Sequence, residues 1–335
     1  VFGLALSGWG VWSAIRPVEV KRVGVRLQKL PASLSGLRIV QLTDMHVGLT
    51  IGRDFVEDVV QKVNALEPDI VAITGDLIDG SVQDLGRAVA PLGEIRAKLG
   101  TFFVTGNHEY YSGADSWLTF LDSIGIKALR NERVELETNG DSIHLAGVDD
   151  WTAHQFGNGH GSDMARAMDG RDSTKPVVLL AHQPIHFDQA REHGVDLQIS
   201  GHTHGGQIFP FGFLTRLAQP FVSGLHRRGD SQIYVSSGTG YWGPPMRIAA
   251  PAEITLIELA PEASACGAEI RAASEAPVRG CCAPRQSRAD GATRERRVNR
   301  RSASRRPSRA RPRAGGRIEA RGAPPGASEP APTSQ

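Results

Sequence analysis

The sequence has no cysteine before position 266; its three cysteines are Cys266, Cys281 and Cys282. Residues 1–265 therefore hold no disulfide and offer zinc no thiolate. Any metal bound there is held by oxygen and imidazole nitrogen. Lysine is missing from residues 262–335, which carry 16 arginines and seven acidic residues, a net of +9. Subtracting that from the chain's +2 leaves −7 on residues 1–261, an acidic body with a basic tail. A long hydrophobic run is lacking too. A spanning helix needs about 20 apolar residues, whereas the opening stretch VFGLALSGWGVWSAI gives about 15 before Arg16 and Pro17. No internal repeat is evident.

The opening stretch, residues 1–17, is read as the C-terminal part of a membrane anchor, in preference to a signal-peptide core or an ordinary buried helix. No small-x-small cleavage site follows it, and Arg16, Lys21, Arg22 and Lys29 form the basic flank expected on the cytoplasmic side. The expected location is the cell membrane with the folded part in the cytoplasm. Residues 18–36 are read as a linker and leading strand, and residues 37–260 as the catalytic domain. Residues 261–335, built of Arg, Ala, Pro, Gly and Ser, cannot bury enough surface to offset the entropy of ordering and are expected to be disordered. Such a tail is either a polybasic arm for anionic lipid or nucleic acid, or a dispensable extension.

What is present is a set of apolar runs that end in polar clusters. Leu37 to Thr43, Asp69 to Thr74, Thr101 to Thr105, Pro176 to Ala181 and Val195 to Ser200 read as strands buried on both faces. Between them, Arg53 to Leu66 places Phe55, Val56, Val59, Val60, Val63 and Leu66 on one helical face. Ser116 to Ile124 and His186 to His193 are further helical candidates. Val134 to Glu137, Ser142 to Val148, Gln232 to Ser236 and Glu253 to Leu259 read as successive strands with polar turns, belonging to a second sheet or to an antiparallel portion. The class is α/β, with functional loops at strand ends.

Five clusters follow those strands: Asp44-Met45-His46, Gly75-Asp76-Leu77-Ile78-Asp79, Gly106-Asn107-His108-Glu109, His182, and Gly201-His202-Thr203-His204. Spacing of two puts Asp44 with His46, and His202 with His204, on one side of an extended segment. Carboxylate, carboxamide and imidazole ligands suit Mn, Fe, Zn or Co. A carboxylate at a strand end, such as Asp76, can touch two ions at once, as in sites whose metals lie roughly 3.5–4 Å apart for in-line displacement at phosphorus.

In this order the five clusters resemble the calcineurin-like metallophosphoesterase superfamily, whose pattern is D-x-H, G-D-x-x-D, G-N-H-[DE], a lone His and G-H-x-H. Leu37 to Gly48, Gly201 to Ile208 and Gly238 to Leu259 are similar to its bacterial membrane-associated branch related to YkuE and YaeI. The resemblance covers about Leu37 to Leu259. It implies a four-layer αββα sandwich of two mixed β-sheets flanked by helices. It implies one metal ion held by Asp44, His46, Asp76 and His204, and a second by Asp76, Asn107, His182 and His202. A hydroxide bridging the two ions would be the nucleophile. His108 would face the leaving-group oxygen and Asp79 would orient it. Serine/threonine protein phosphatases follow the second cluster with Arg-Gly; here Asp79 is followed by Gly80-Ser81, which argues against that activity.

Arg247 is a further candidate, as a bidentate donor to substrate phosphate or as one partner of a structural salt bridge. Trp151, Phe209, Phe211 and Phe213 are candidates for an apolar pocket or membrane face, while His154, His160 and His186 are set aside as non-ligands. Asp149 and Asp150 are read as turn residues. The expected activity is hydrolysis of a phosphodiester or phosphomonoester, on a membrane-derived or lipid-linked substrate, by a monomeric catalytic domain without nucleic-acid partner. Two other readings stand beside it: a non-catalytic membrane-associated binding module, and a nuclease aided by the basic tail.

Overall fold

The apolar runs form strands because β-branched and aromatic side chains alternate between two buried faces, and each run stops where Gly, Asp or His takes over. The computed structural model describes residues 2–262. The tail expected to be disordered lies outside the described residues, apart from its first two positions. Along the chain the strands are β1 (Glu19–Leu27), β2 (Arg38–Leu42), β3 (Ile70–Ile73), β4 (Gly100–Phe103), β5 (Ile126–Ala128), β6 (Glu132–Thr138), β7 (Asp141–Gly147), β8 (Val177–Leu180), β9 (Leu197–Ser200), β10 (Gly224–Arg228), β11 (Ser231–Val235) and β12 (Glu253–Pro261). The helices are α1 (Phe2–Ile15), α2 (Arg53–Ala65), α3 (Val82–Val89), α4 (Asn107–Ser112), α5 (Ala114–Ser123), α6 (Met164–Met168), α7 (Phe187–Glu192) and α8 (Gly212–Ala218).

Two mixed sheets result, in the orders β1-β12-β2-β3-β4-β5 and β10-β11-β9-β8-β7-β6. β2 to β5 are parallel and β12 runs against β2, while β7, β8, β9 and β11 are parallel, with β6 and β10 antiparallel at the edges. Alternation along each strand assigns the layers. Val40, Leu42, Val71, Ile73 and Phe103 pack on Val56, Val59, Val60 and Val63 of α2 and on Trp117 and Leu121 of α5. The opposite faces, with Ile39, Ile70, Ala72 and Phe102, meet Leu145, Val178, Leu180, Leu197 and Ile199 of the second sheet. Beyond that sheet, Ala146, Val177 and Leu179 pack on Met164, Ala167 and Met168 of α6 and Ala190 of α7. The order helix, sheet, sheet, helix is the four-layer sandwich.

Several short elements had no clear sequence signal, α3 and α8 among them. α3 contains Gly86, a poor helix former, which is tolerated because the Phe120 ring lies against it and because Ser81 caps the helix, its hydroxyl accepting from the Asp84 amide at 3.3 Å. α8 buries none of its residues, so it shows no core-facing period. At the N-terminus, α1 is 14 residues long, and no helix among the described residues is long and apolar enough to cross a membrane.

Candidate metal centre

β2, β3, β4, β8 and β9 all release the chain at one rim of the sandwich, and backbone bonds lace the released loops together. The amide of Asp44 donates to the carbonyl of Gly75 at 3.0 Å, that of His46 to Asp76 at 3.1 Å, and that of Gly201 to His182 at 2.9 Å. The lacing holds an unusual backbone. Asp44, His46, Asp76, His202 and His204 all have left-handed conformations, with φ of 52°, 49°, 49°, 70° and 51°. Each such non-glycine residue costs on the order of 1 kcal/mol or more, and clusters of them mark functional sites. Gly75 has φ of 87° and lies so close to its neighbours that a Cβ would come within 2.5 Å of the Gly106 nitrogen. Only glycine fits there.

The side chains gather in two groups, Asp44 with His46 and His204, and Asp76 with His182 and His202. In the first, His204 Nε2 lies 3.3 Å from Asp44 Oδ1 and 3.1 Å from His46 Nε2. In the second, His182 Nε2 lies 3.1 Å from Asp76 Oδ2 and 3.1 Å from His202 Nδ1. Asp76 Oδ2 is also 4.0 Å from His46 Nε2, so this carboxylate stands between the groups. Outer partners set the rings. His182 Nδ1 donates to the Thr74 carbonyl at 2.8 Å, which turns Nε2 toward Asp76 and His202. Burial opposes its charge, but Asp76 outweighs burial and holds its pKa well above the ordinary value. Asp44 is held by the Thr43 hydroxyl at 2.7 Å and by the His202 amide at 3.0 Å.

Burial raises the Asp76 pKa, but the fields of His182, His46 and His108 outweigh it, and the carboxyl stays well below the usual range. Burial and neighbouring imidazoles hold His202 and His204 below their ordinary value, in the neutral form that binds metal. In each group two ring nitrogens and a carboxylate oxygen converge within hydrogen-bond distance of one another, the spacing of ligands around a shared cation. Asn107 makes the same point. Its Oδ1 is shut off from solvent with no hydrogen-bond partner, and such orphans are rare unless an ion or water meets them. This donor set fits divalent metal.

His108 and Asp79 lie at the edge of the cluster. Asp79 Oδ1 accepts from His108 Nδ1 at 2.6 Å and lies 3.0 Å from His46 Nδ1. Burial acts against the Asp79 charge, yet the two imidazoles prevail and bring its pKa to about 2. Burial likewise opposes the imidazolium of His108, but Asp79 and Asp76 raise it above the ordinary value. Tyr111 and Trp242 approach the His108 ring edge-on, at 5.4 and 6.3 Å between centroids.

The substrate-binding expectation for Arg247 is corrected. Its side chain is completely buried, and the guanidinium donates to the carbonyls of Gly240 at 2.9 Å, Ala250 at 2.8 Å and Ser237 at 2.8 Å. Its donors are spent on the loop that follows β11, so none is left for phosphate, and desolvation lowers its pKa to about 10. Asp149 is clasped by Arg130 at 2.6 Å, and Asp150 accepts from Thr152 and Gln183, both structural bonds. His186 is buried and bonded to Ser162 at 2.9 Å, away from both ligand groups. Of the four aromatics, Phe211 borders a groove beside His202 and His204, Phe209 and Phe213 border an adjacent cavity, and Trp151 packs on His186.

Glu109 is the residue that sequence reasoning passed over, although it closes the quoted Gly106-Asn107-His108-Glu109 cluster. Its buried carboxylate accepts from the amides of Asp76 at 3.0 Å, Leu77 at 2.8 Å and Gly106 at 2.6 Å. One side chain thereby ties the Asp76 loop to the Asn107 loop. Burial and the neighbouring Asp76 charge push its pKa up to about 7.

Stacked mixed sheets with carboxylate, carboxamide and imidazole donors converging on one rim define an α/β protein with a candidate two-part metal centre. The chain belongs to the calcineurin-like phosphoesterases: residues 37–206 match that family. It is 44% identical over 262 residues to the transmembrane protein with metallophosphoesterase domain of Danio rerio, covering 76% of this chain and 60% of the relative. It is 43% identical over 266 residues to an uncharacterized metallophosphoesterase of Helicobacter pylori, covering 78% and 70%. It is 29% identical over 265 residues to YkuE of Bacillus subtilis, covering 76% and 90%. The chain thus spans about 60% of the length of the vertebrate relatives.

Proposed function

We propose that this protein is a metal-dependent hydrolase of phosphodiesters or phosphomonoesters that works with two divalent ions (Mn, Fe, Zn or Co). Asp44, His46, Asp76 and His204 would hold one ion, and Asp76, Asn107, His182 and His202 the other. The carrying observation is the pair of facing imidazole nitrogens on each side of Asp76, at 3.1 Å in both groups, beside the partnerless oxygen of Asn107. Bound there, two ions supply a nucleophile from water at neutral pH and neutralise charge on the phosphoryl oxygens. Asp76, kept ionised by the surrounding imidazoles, stands between the two groups and would contribute to holding both ions. Glu109 keeps the Asp76 and Asn107 loops in register. His108, with its proton retained by Asp79, donates to the leaving-group oxygen.

The substrate reading is a phosphate ester at a bilayer, reached by a catalytic domain of residues 37–260 on the cytoplasmic side of the cell membrane. It is supported by the apolar α1 and by the vertebrate relatives' description as transmembrane proteins. Preference of the purified enzyme for soluble nucleotides over every lipid ester tried would sink it.

The test of the chemistry is hydrolysis of a chromogenic phosphodiester and monoester by the chelated protein, then with Mn²⁺ restored. Restoration of activity in the wild type, and none in Asp76→Ala, is expected. An Asp76→Ala variant as active as wild type would refute the two-ion reading.

A further inference from the structure

α8 is a helix with nothing to bury, in a protein whose other helices each bury at least one residue where burial is described. Phe213 is 62% exposed, Leu214 60% and Leu217 86%, and Phe209 and Phe211 before them are equally open. Phe209 and Phe213 touch each other, with ring centroids 6.0 Å apart. Trp242 is 55% exposed. Monomeric soluble proteins rarely leave so many large apolar side chains together in water.

Neighbouring contacts extend the patch. The Phe209 amide donates to the Ile248 carbonyl at 3.1 Å, and the Arg247 amide, one residue earlier, donates to the Gly10 carbonyl of α1 at 2.9 Å. α1 and α8 therefore flank the same short segment, and α1 also exposes Leu4, Trp9, Trp12 and Ile15. The other edge of the patch reaches the metal centre. A groove of about 440 Å³ is lined by His202, His204, Ile208, Phe211, Trp242 and Pro244.

Charge separates the candidate occupants. The body as a whole is acidic, but residues 197–252 contain four arginines and a single acid, Asp230. Arg247 is buried, and Arg227 and Arg228 on β10 are paired with Glu262 and Asp188, which leaves Arg216 on α8 itself as the exposed cation beside the patch with no ion pair among the described residues. Aromatic and aliphatic side chains with exposed arginine and hardly any carboxylate are the composition of an interfacial membrane surface. An ester with its phosphate among His202 and His204 would lay its other end along Ile208, Phe211 and Trp242. A phosphate ester with an apolar tail, as in a lipid, matches that lining.

We propose that α8, the preceding Phe209–Phe211 turn and Trp242 form a face that inserts into the interface of an anionic bilayer. From there a lipid phosphate ester would enter the metal centre through the groove. This rests on the phosphoesterase reading and deepens it.

The test uses the full chain and vesicles of phosphatidylcholine and phosphatidylglycerol in equal parts, in salt concentrated enough to screen the arginines of residues 262–335. Expected is slowed amide exchange across residues 209–217 on the vesicles. A Phe213→Ser/Leu217→Ser variant should partition roughly tenfold less or worse, with hydrolysis of a soluble chromogenic ester unchanged. Any of three results overturns the proposal: residues 209–217 exchanging as they do in solution; binding that survives Phe213→Ser/Leu217→Ser but is abolished by Leu4→Ser/Trp9→Ser; or concentration-dependent protection of 209–217 without vesicles, which would assign the face to a second protein copy. Failure of soluble-ester hydrolysis in the wild type would instead count against the phosphoesterase reading alone.

Discussion

A single oxygen of Asp79, Oδ1, accepts a hydrogen bond of 2.6 Å from His108 Nδ1 and lies 3.0 Å from His46 Nδ1. The same carboxylate thus orients an expected metal ligand and the expected proton donor. Its pKa of about 2 keeps it charged wherever the enzyme works.

The pH profile follows from that contact. His108 has a raised pKa, so it keeps its proton to higher pH than a free imidazole. Asp79→Asn removes the charge that raises it, so the alkaline limb of kcat/KM against pH should move to lower pH. His108→Ala should cost about 10²–10⁴-fold in kcat. An alkaline limb that stays in place in Asp79→Asn would show that His108 is not the titrating acid.

Asn107 separates metal binding from folding. Its Oδ1 has no partner in the protein, so Asn107→Leu removes a buried orphan and should leave the Tm of the metal-free protein unchanged or higher. The rise in Tm on adding Mn²⁺ should shrink or vanish, since that rise measures binding to the folded state. A variant that keeps the full metal-induced rise would exclude Asn107 from the ligand set.

Arg247 is predicted to act on stability. Lysine cannot serve the carbonyls of Gly240, Ser237 and Ala250 with one ammonium. Arg247→Lys should lose about 3 kcal/mol of stability in denaturant unfolding. A raised KM with unchanged stability would return Arg247 to the substrate.

Gly75 tests the strained rim. Gly75→Ala must place a Cβ at φ of 87° and against the Gly106 nitrogen and His182 Nδ1. A loss of at least about 2 kcal/mol is expected, together with loss of metal-dependent activity. Wild-type Tm and activity would show that the close approach relaxes easily.

Much of the site was legible because ligand chemistry is local. Asp44 and His46, two residues apart, do share one group, whereas His202 and His204 fall in different groups because the backbone there is left-handed rather than extended. Each cluster follows an apolar run that reads as a buried strand. The four-layer order was implied only by the family resemblance, because a run buried on both faces does not show which face meets the other sheet. Long-range contacts were less legible. Nothing in the Glu109 neighbourhood announces that its carboxylate accepts from Asp76 and Leu77, more than thirty residues away. Nor does the sequence around Arg247 show that it turns inward, since the carbonyls of Ser237, Gly240 and Ala250 that receive it are brought together only by the folded loop after β11.

The sequence by itself therefore determined the donor types, their order on strand ends, and the α/β class, because each depends on residue chemistry and periods of two or 3.6. The tertiary structure alone decided which donors face each other, that Asp76 stands between two groups, and that Arg247 is a clasp. It also decided that α8 lies bare beside the site. Those are directions of side chains, and direction is set by packing against residues remote in the chain.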